Sequence, residues 1–197
     1  MIMTEGSLQF DFGADAAAMK FDDTKFYRDS FAERMPEGKG VDFIVLTKDR
    51  LMLIEVKNCT GYESENIWRT DTHHREEDIQ SSGRETRTPE TFDIEVAKKV
   101  AGTLACMAGA VTYNEKIEAD VKEFAPYWKE FQKIKKREIR LSVILFLEGD
   151  FPVQSRNKKM IMDSIKKKLN FYLKWLNAEA AVVDSTSCHR FFVVKRK

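Results

Sequence analysis

The sequence GKGVDFIVLTKDRLMLIEVKN, residues 38–58, decides the fold of this 197-residue chain. It contains two runs of aliphatic and β-branched residues, 41–46 and 51–56, and the four residues between the runs are all polar. Two such runs on either side of a short polar turn predict an antiparallel β-hairpin. Because both faces of the runs are largely apolar, we expect this core hairpin, residues 41–57, to lie in the centre of a sheet that is covered on both sides.

The register of the hairpin follows from the length of its turn. If Lys48 and Asp49 are the two turn residues, Asp42 lies directly opposite Glu55. Side chains alternate between the faces of a strand, so Lys57 then shares a face with Glu55. A three-residue turn would shift the pairing by one residue and separate the two carboxylates. The two-residue turn therefore predicts a pair of acids with a lysine beside them.

Two neighbouring carboxylates in apolar surroundings favour a bound cation. They repel each other, and one of them takes up a proton unless a positive charge neutralises both. Mg²⁺ prefers oxygen ligands, is usually held by one or two carboxylates, and keeps bound waters that can become nucleophiles. The Lys57 ammonium can hold such a water or a phosphate group next to it. The hairpin therefore predicts a divalent-metal site with hydrolytic chemistry.

The spacing of these residues resembles a known nuclease signature. Asp42, twelve intervening residues and then Glu55-Val56-Lys57 resemble the D…ExK motif of the PD-(D/E)xK, or restriction-endonuclease-like, nuclease superfamily, with Val41 where the family name has proline. The resemblance implies an α/β (α+β) fold with a central mixed β-sheet and helices on both faces. It also implies that Asp42, Glu55 and the Val56 carbonyl bind Mg²⁺ or Mn²⁺, while Lys57 assists the attack of water on a phosphodiester.

In this superfamily a first helix often adds another acid to the site. The sequence predicts such a helix, capped by Asp22, Asp23 or Thr24 and running to about residue 35, where a proline and a glycine stop it. Glu33 lies at the edge of its apolar stripe and is the candidate acid, with Asp29 and Glu37 as rivals. An ordinary surface glutamate is the alternative. Many superfamily members place a strand between this helix and the Asp, but here residues 36–40 leave no room for one.

Residues 58–90 form a polar insertion with few apolar anchors. A connection of this length is usually functional or disordered. We expect residues 66–70 to form a third short strand beside the hairpin. Arg69 is a candidate for contact with a sugar-phosphate chain, and a solvated loop is the alternative. Arg75, Arg84 and Arg87 are candidates for the same contact. His73 and His74 are candidates for a metal ligand or a general base, although adjacent histidines in a polar loop point in different directions.

Residues 91–111 show the clearest helical periodicity of the chain. The expected core stripe of this helix is Ile94, Ala97, Val100, Ala101, Leu104, Ala105 and Ala108. The superfamily resemblance implies that the helix after the ExK strand lends a polar residue to the site. Glu95, Lys98 and Lys99 are the candidates, although the two lysines lie off the expected stripe and solvated lysines are the simpler interpretation.

Charge is distributed unevenly, although the chain as a whole has a formal net charge of +1. Residues 1–90 carry a net charge of −7, residues 91–128 of −2 and the basic C-terminal half, residues 129–197, of +10. An acidic half for the metal beside a basic half for the phosphates suits a phosphodiester-cutting enzyme, and a solvated lysine face is the alternative. The candidate nucleic-acid contacts are Lys158, Lys159, Lys166, Lys167, Arg69 and Lys98, with Lys133, Lys135, Lys136 and Arg137 as further members.

Two elements are expected in this basic half. Residues 139–147 are strongly apolar and predict a central strand. Residues 157–176 predict a helix that buries aliphatic side chains at helical spacing and exposes lysines. We expect the aromatic and methionine side chains of that helix to belong to the core. Near the start of the chain, Leu8, Phe10 and Phe12 predict a short edge strand, which a linker of small residues follows.

Composition indicates a single nuclease-like domain, residues 1–197, because 43% hydrophobic and 33% charged residues are ordinary for a globular protein. No apolar run has membrane-spanning length and no signal peptide is recognisable, so we expect a cytoplasmic protein without a membrane partner. Three cysteines without CxxC spacing are typical of reduced thiols. The sequence lacks GxxxxGK[ST], GxGxxG, GxSxG and HExxH motifs, which excludes the common phosphate-loop, dinucleotide, hydrolase-elbow and zinc-protease signatures.

Three functions therefore compete. The first is a metal-dependent hydrolase of phosphodiesters, with nucleic acid as partner and a DNA endonuclease as the expected activity. The second is an inactive module of the same fold that binds nucleic acid or a protein partner. The third is a buried ion cluster of Asp42, Glu55 and Lys57 without a ligand, and such clusters give little net stability. Each of the three is compatible with a homo-oligomer or a protein partner.

Overall fold

The computed structural model describes residues 1–72, 90–112, 122–134, 138–151 and 156–197. The predictions for His73, His74, Arg75, Arg84, Arg87, Lys135, Lys136 and Arg137 lie outside these residues. The strands are β1 Ile2–Glu5, β2 Leu8–Asp11, β3 Ala17–Lys20, β4 Phe43–Leu46, β5 Arg50–Asn58, β6 Arg140–Glu148, β7 Glu179–Val183 and β8 Val193–Arg196. The α-helical segments are α1 Ala32–Arg34, α2 Glu63–Asn66, α3 Phe92–Thr112, α4 Ala125–Lys133 and α5 Lys158–Tyr172.

The central sheet contains five strands in the order β3-β4-β5-β6-β7. β4 pairs antiparallel with β3 and β5, whereas β6 pairs parallel with β5 and β7. The sheet is therefore mixed, as predicted. Strand β6 has a neighbouring strand on each side, which confirms the prediction that the apolar run 139–147 forms a central strand.

The core hairpin has the predicted two-residue turn and register. Ile44 pairs with Leu53, and the Thr47 amide donates a hydrogen bond of 2.8 Å to the Arg50 carbonyl across the turn. The Ile44 and Leu53 side chains pack in the core on the helical side of the sheet, whereas Phe43 packs on the opposite side. Both faces of the hairpin are thus covered, as its apolar pattern predicts.

A second sheet covers one face of the central sheet. It is antiparallel, with the order β1-β2-β8. Phe10 of β2 is fully buried, and its ring centre lies 5.4 Å from that of Phe43 and 5.3 Å from that of Phe146. Strand β2 is therefore the middle strand of this sheet and not the predicted edge strand.

Helices cover the other face of the central sheet. Val96 and Val100 of α3 share a core with Ile161 and Ile165 of α5 and with Leu53 of the hairpin. The expectation of helices on both faces is wrong for the second face, because the β1-β2-β8 sheet packs there. No local sequence pattern indicates this layer, because it depends on the pairing of β2 with β8, whose paired residues are 182 or more positions apart.

Two further predicted segments have a different structure. The linker of small residues was expected over residues 13–18, but its last two residues belong to β3, Ala17–Lys20, at the edge of the central sheet. Residues 66–70, expected to form a strand, complete α2 and the 3₁₀ turn Ile67–Thr70, where the Thr70 hydroxyl donates to the Ile67 carbonyl at 2.6 Å. The predicted first helix is a π-helical turn, Tyr27–Phe31, followed by α1.

Helix α3 agrees with the prediction to within one residue at each end, but its buried face is rotated. Among the expected stripe residues, Ala101 and Ala105 are exposed. The face that packs on the sheet carries the larger side chains, Phe92, Val96, Val100, Thr103 and Met107. Lys99 lies one turn before Thr103 and near this face, so the expectation that Lys99 is a solvated surface lysine is wrong.

Helix α5 begins after Asn157, whose side chain accepts a hydrogen bond of 2.9 Å from the Met160 amide, and a 3₁₀ turn, Lys174–Leu176, follows it. All three cysteines are free and buried, as expected. A search of the described helices finds none that is both long enough and apolar enough to cross a membrane.

Candidate active site

The two acids of the core hairpin meet α3 at the end of β5. Asp42 is 9% exposed and Glu55 1% exposed. Asp42 Oδ2 accepts a hydrogen bond of 2.6 Å from the Val56 amide, which fixes this carboxylate beside β5 as the predicted register requires. Lys99 Nζ lies 2.6 Å from Glu55 Oε1 and 3.9 Å from Asp42 Oδ1. Both carboxylates therefore face the same ammonium group.

The environment of Asp42 makes its charge costly. Burial, together with the nearby Glu55 carboxylate, raises the pKa of Asp42 from 3.8 to about 7. Lys99 and the Val56 amide act in the opposite direction but do not outweigh these causes. A divalent cation between the two acids would oppose both causes, because it supplies positive charge where burial has removed water.

Lys57 bridges two glutamates. Its Nζ lies 2.9 Å from Glu55 Oε1 and 2.9 Å from Glu95 Oε1. Burial by itself would lower the pKa of Lys57, but the two carboxylates outweigh it and raise that pKa above its usual value. Lys57 is therefore a protonated ammonium group, which can attract a phosphate oxygen but does not act as a base in this state.

Helix α3 contributes two charged side chains to the site, Glu95 and Lys99, one helical turn apart. Arg69 donates to Glu95 Oε2, and its guanidinium lies 4.4 Å from the centre of the Phe92 ring. Burial alone would raise the pKa of Glu95, but Lys57 and Arg69 hold it below its usual value. Arg69, which was expected to contact nucleic acid, is instead engaged in this internal network.

A second group of acids also includes Asp42. Glu5 at the end of β1, Asp22 after β3, and Asp42 each place a carboxylate oxygen within 4.8 Å of the others. Lys20 Nζ lies 3.1 Å from Glu5 Oε2. Burial is the main cause that raises the pKa of Asp22, and neighbouring acids add to it. Asp42 therefore belongs to two acidic groups, one with Glu55 and one with Glu5 and Asp22.

The atoms that these residues offer fit a hard divalent cation. Glu55 Oε2 and Asp22 Oδ1 are buried and have no hydrogen-bond partner in the described part of the chain. The three grouped acids offer only oxygen atoms, which is the ligand set that Mg²⁺ and Mn²⁺ prefer. The ligands expected from the sequence were Asp42, Glu55 and the Val56 carbonyl, and the structure adds Asp22 and Glu5 as neighbouring oxygen donors.

Glu33 does not join the site, so its assignment as the helix acid is wrong. Its side chain is 68% exposed and lies 3.9 Å from Arg34 Nη1. The acid that approaches Asp42 from this part of the chain is Asp22, which precedes the helix. β3 pairs with β4, and the Phe21 amide donates to the Asp42 carbonyl at 2.8 Å, so the residue that follows Phe21 lies beside Asp42. The signal in the sequence is the acidic pair Asp22-Asp23, which as a pattern predicts a helix cap and not an acid beside Asp42.

The lysines expected to contact nucleic acid fall into two classes. Lys98 is 65% exposed and pairs with Glu90, while Lys158 is 24% exposed and pairs with Asp184 at 2.7 Å. Both of these side chains therefore have a structural partner. The exposed lysines of α5 that form no ion pair with another described residue are Lys159, Lys166 and Lys167.

Comparison with known proteins assigns the chain to a family. No curated protein and no solved structure matches it. Residues 24–194 match a family of unknown function, DUF6661, and this match contains the core hairpin and α3 but neither Glu5 nor Asp22. Because the match covers most of the chain, the protein belongs to the DUF6661 family.

Proposed function

We propose that this protein is a Mg²⁺- or Mn²⁺-dependent phosphodiesterase of the PD-(D/E)xK type, an endonuclease that acts on DNA. The observation that carries the proposal is the buried pair Asp42 and Glu55, with the Lys57 ammonium 2.9 Å from Glu55 Oε1. The mixed sheet that bears this pair and the acid-to-lysine spacing are those that the superfamily resemblance implies. A buried acid pair with a costly charge is typical of functional sites.

The chain's own oxygen atoms would hold the metal. Asp42, Glu55 and the Val56 carbonyl are the proposed ligands, and Asp22 is the next acid in reach. When bound, a divalent ion lowers the pKa of a coordinated water and stabilises the charge that develops on the phosphate. Glu95 forms ion pairs with Lys57 and Arg69 and so positions these two cations beside the proposed ligands.

Lys57 is proposed to hold the phosphate or the attacking water. An ammonium group has three N–H donors, and two of them point to Glu55 and Glu95. The side chain is 18% exposed, and the proposal requires that a substrate reach the third donor. Because its pKa is raised, Lys57 stabilises negative charge and orients its partner instead of removing a proton.

A non-catalytic module that binds nucleic acid or a protein partner is the second candidate. Glu55 Oε1 already contacts both Lys57 and Lys99, at 2.9 and 2.6 Å. The three acids Asp42, Glu55 and Glu95 are thus matched by three cations, Lys57, Lys99 and Arg69. Such a balanced network can exist without a metal.

A cleavage assay separates the two candidates. Purified protein is incubated with single- and double-stranded DNA and RNA in Mg²⁺, Mn²⁺ or EDTA, beside the variants Glu55→Gln and Lys57→Met. We expect cleavage of DNA only with metal, and a loss of about 10³-fold in each variant. Glu33→Gln is the matched control, because it neutralises an acid outside the site, and it should cleave like the wild type.

Two results would contradict the proposed function. Cleavage that persists in EDTA or in Glu55→Gln would show that the acid pair does not hold the ion that drives hydrolysis. Binding of nucleic acid without cleavage under every metal condition would instead support the non-catalytic module.

A further inference from the structure

The C-terminal end of α5 exposes two large aromatic side chains. Phe171 is 71% exposed and Trp175, in the 3₁₀ turn that follows the helix, is 64% exposed. These are the highest exposures of any aromatic residue in the described ranges. The expectation that the aromatic residues of this helix belong to the core is therefore wrong for both. Neighbouring exposed aromatic groups on a soluble domain mark an interaction surface.

Trp175 forms one wall of a groove with a volume of about 660 Å³. The opposite wall is α4, from which Trp128 and Phe131 line the groove. The rings of Trp128 and Phe131 are stacked, with centres 5.5 Å apart and planes inclined by 16°. We name this feature, lined by Trp128, Phe131 and Trp175, the aromatic groove. Three aromatic side chains thus line one groove, and aromatic side chains of this kind can stack with planar rings.

The rim of the aromatic groove is basic. Residues 166–177 contain four lysines and no acidic residue. Lys167 and Lys174 are exposed; Lys167 lies one helical turn before Phe171, and Lys174 is adjacent to Trp175 in the sequence. On the α4 side Lys129 is exposed, while Glu130 is neutralised by Lys133 at 2.6 Å. Glu179 lines the cavity next to the groove, but lysines outnumber acids in these two segments, so their net positive charge favours a polyanion.

The aromatic groove is separate from the candidate active site. Ile134 and Asn177, which line the groove, also line a cavity with Arg140 at the start of β6. Arg140 pairs with Arg50, which lies five residues before Glu55 on β5. Five residues of strand span about 17 Å, so the groove lies near the opposite end of the parallel strands from the acid pair.

We propose that the aromatic groove binds single-stranded nucleic acid. Unpaired bases would stack on Trp175 and on the Trp128–Phe131 wall, while Lys129, Lys167 and Lys174 would contact the phosphates. Aromatic platforms flanked by basic side chains are the usual means of binding a single strand without reading its sequence. A duplex keeps its bases stacked on one another, so it cannot use the aromatic walls.

Charge complementarity favours this occupant over a second copy of the chain. In a twofold contact the same surface meets itself, so the lysine-rich segment 166–177 would bring like charges to both sides of the contact. The inference rests on the proposed function where it names the substrate class, a strand with an unpaired portion. Binding at the groove needs neither metal nor cleavage, and the two proposals can therefore fail independently.

The test is a binding titration in EDTA. Fluorescence anisotropy of a labelled deoxythymidine oligonucleotide is measured against a duplex of equal length, with wild-type protein and with Trp175→Ala. We expect the single strand to bind more tightly than the duplex, and Trp175→Ala to weaken single-strand binding about tenfold while leaving duplex binding unchanged. Trp175 is exposed, so its removal is not expected to disturb folding, which circular dichroism verifies.

A pair of double variants separates the groove from general charge attraction. Lys167→Ala with Lys174→Ala removes two lysines beside the aromatic residues, and Lys159→Ala with Lys166→Ala removes two exposed lysines elsewhere on α5. The first double variant should lower single-strand affinity more than the second. It should also reduce the slope of log affinity against log salt concentration by about two, one for each lost phosphate contact. Equal effects of the two double variants would overturn the proposal.

Two other results would also overturn it. One is unchanged single-strand affinity in Trp175→Ala. The other is a wild-type dimer in sedimentation that Trp175→Ala dissociates, because the groove would then be a self-association surface. Groove-dependent binding by Glu55→Gln with no cleavage by the wild type would leave the groove standing and refute the nuclease. Metal-dependent cleavage by the wild type, together with single-strand binding that does not depend on Trp175, would support the nuclease and refute the groove proposal.

Discussion

Two buried aspartates show how the surroundings of one side chain decide its role. Asp184, which follows β7, is 6% exposed, and Asp42, which precedes β4, is 9% exposed. Asp184 Oδ1 accepts hydrogen bonds from the amide and hydroxyl groups of both Thr186 and Ser187, and its Oδ2 lies 2.7 Å from Lys158 Nζ. Asp42 accepts one backbone hydrogen bond and lies near a second carboxylate.

The opposite pKa shifts of the two residues express this difference. Burial by itself would raise the pKa of Asp184, but Lys158, Ser187 and Thr186 hold it well below its usual range. Burial and Glu55 raise the pKa of Asp42 to about 7. A buried acid whose partners are complete stabilises the fold, whereas one that faces another acid retains a cost that a ligand can relieve. Asp184 therefore has the contacts of a structural aspartate, whereas Asp42 has the surroundings that the proposed function requires of a metal ligand.

The largest expected contrast is in cleavage. Asp42→Asn should lower the rate of metal-dependent DNA cleavage by about 10³-fold, because the amide cannot hold the cation as a carboxylate does. Asp184→Asn should cleave like the wild type at a temperature where both are folded. Rates measured side by side with circular dichroism decide the point, and equal losses in the two variants would remove the distinction.

The pH dependence of stability in EDTA is the next effect. A raised acid pKa means that the folded state favours the neutral form, so the stability contributed by Asp42 is full below pH 3.8 and is lost as the pH rises to about 7. The loss is at most about 4 kcal/mol. Asp184 behaves oppositely: its contribution is present above pH 3.8 and falls only in stronger acid.

Urea unfolding between pH 5 and 8 therefore reports on Asp42 and not on Asp184. The wild type should lose stability across this window, and Asp42→Asn should show a flatter profile and exceed the wild type at pH 8. An identical profile for wild type and Asp42→Asn would mean that Asp42 carries no buried charge.

Removal of the Asp184 carboxylate should lower the stability of the fold, whereas Asp42→Asn should raise it at pH 8, and the expected change is smaller. Asp184→Ala leaves the Lys158 ammonium and the donors of Thr186 and Ser187 without their acceptor, which should cost about 3 kcal/mol in the free energy of unfolding. Lys158→Met removes only the ion pair and keeps the hydrogen bonds of Asp184, so it should cost less. A change below about 1 kcal/mol in Asp184→Ala would show that these contacts do not hold the turn.

The smallest predicted effect concerns Lys99. This ammonium contacts both acids, so a divalent cation must compete with it for the same oxygen atoms. Lys99→Met should therefore strengthen Mg²⁺ binding by about fivefold, as measured by calorimetry, since loss of one partly screened contact corresponds to about 1 kcal/mol. Lys98→Met changes the neighbouring exposed lysine and should leave the affinity unchanged. Weaker binding in Lys99→Met would mean that Lys99 supports the ion instead of competing with it.

The sequence alone predicted the local half of this site. The polar turn between the two apolar runs determined the hairpin register, and that register brought Asp42 beside Val56 and Glu55. Alternation also placed Lys57 on the face of Glu55, where the structure has it. These features depend on residues less than 20 positions apart, for which strand periodicity and turn chemistry are sufficient.

The remainder depends on long-range packing. Asp22 approaches Asp42 because β3 pairs with β4, and Glu5 approaches it because the β1-β2-β8 sheet packs on the central sheet. Local sequence patterns do not predict either contact. Lys99 turned out to contact both acids because large side chains, and not the alanines, select the buried face of α3. Arg69 lies in an irregular turn, whose conformation follows from its contacts with Glu95 and Phe92. Trp175 follows the end of α5, where helical periodicity no longer predicts burial.

The most direct measurement is the effect of Mg²⁺ on the free energy of unfolding at pH 8, for the wild type, Asp42→Asn and Asp184→Asn. If Asp42 is the functional aspartate, Mg²⁺ at about one hundred times its Kd should stabilise the wild type and Asp184→Asn by about 2.7 kcal/mol over EDTA. Asp42→Asn should gain nothing under the same conditions. Equal stabilisation of Asp42→Asn, or no stabilisation of the wild type at any Mg²⁺ concentration, would contradict the assignment of the acid pair as a metal site.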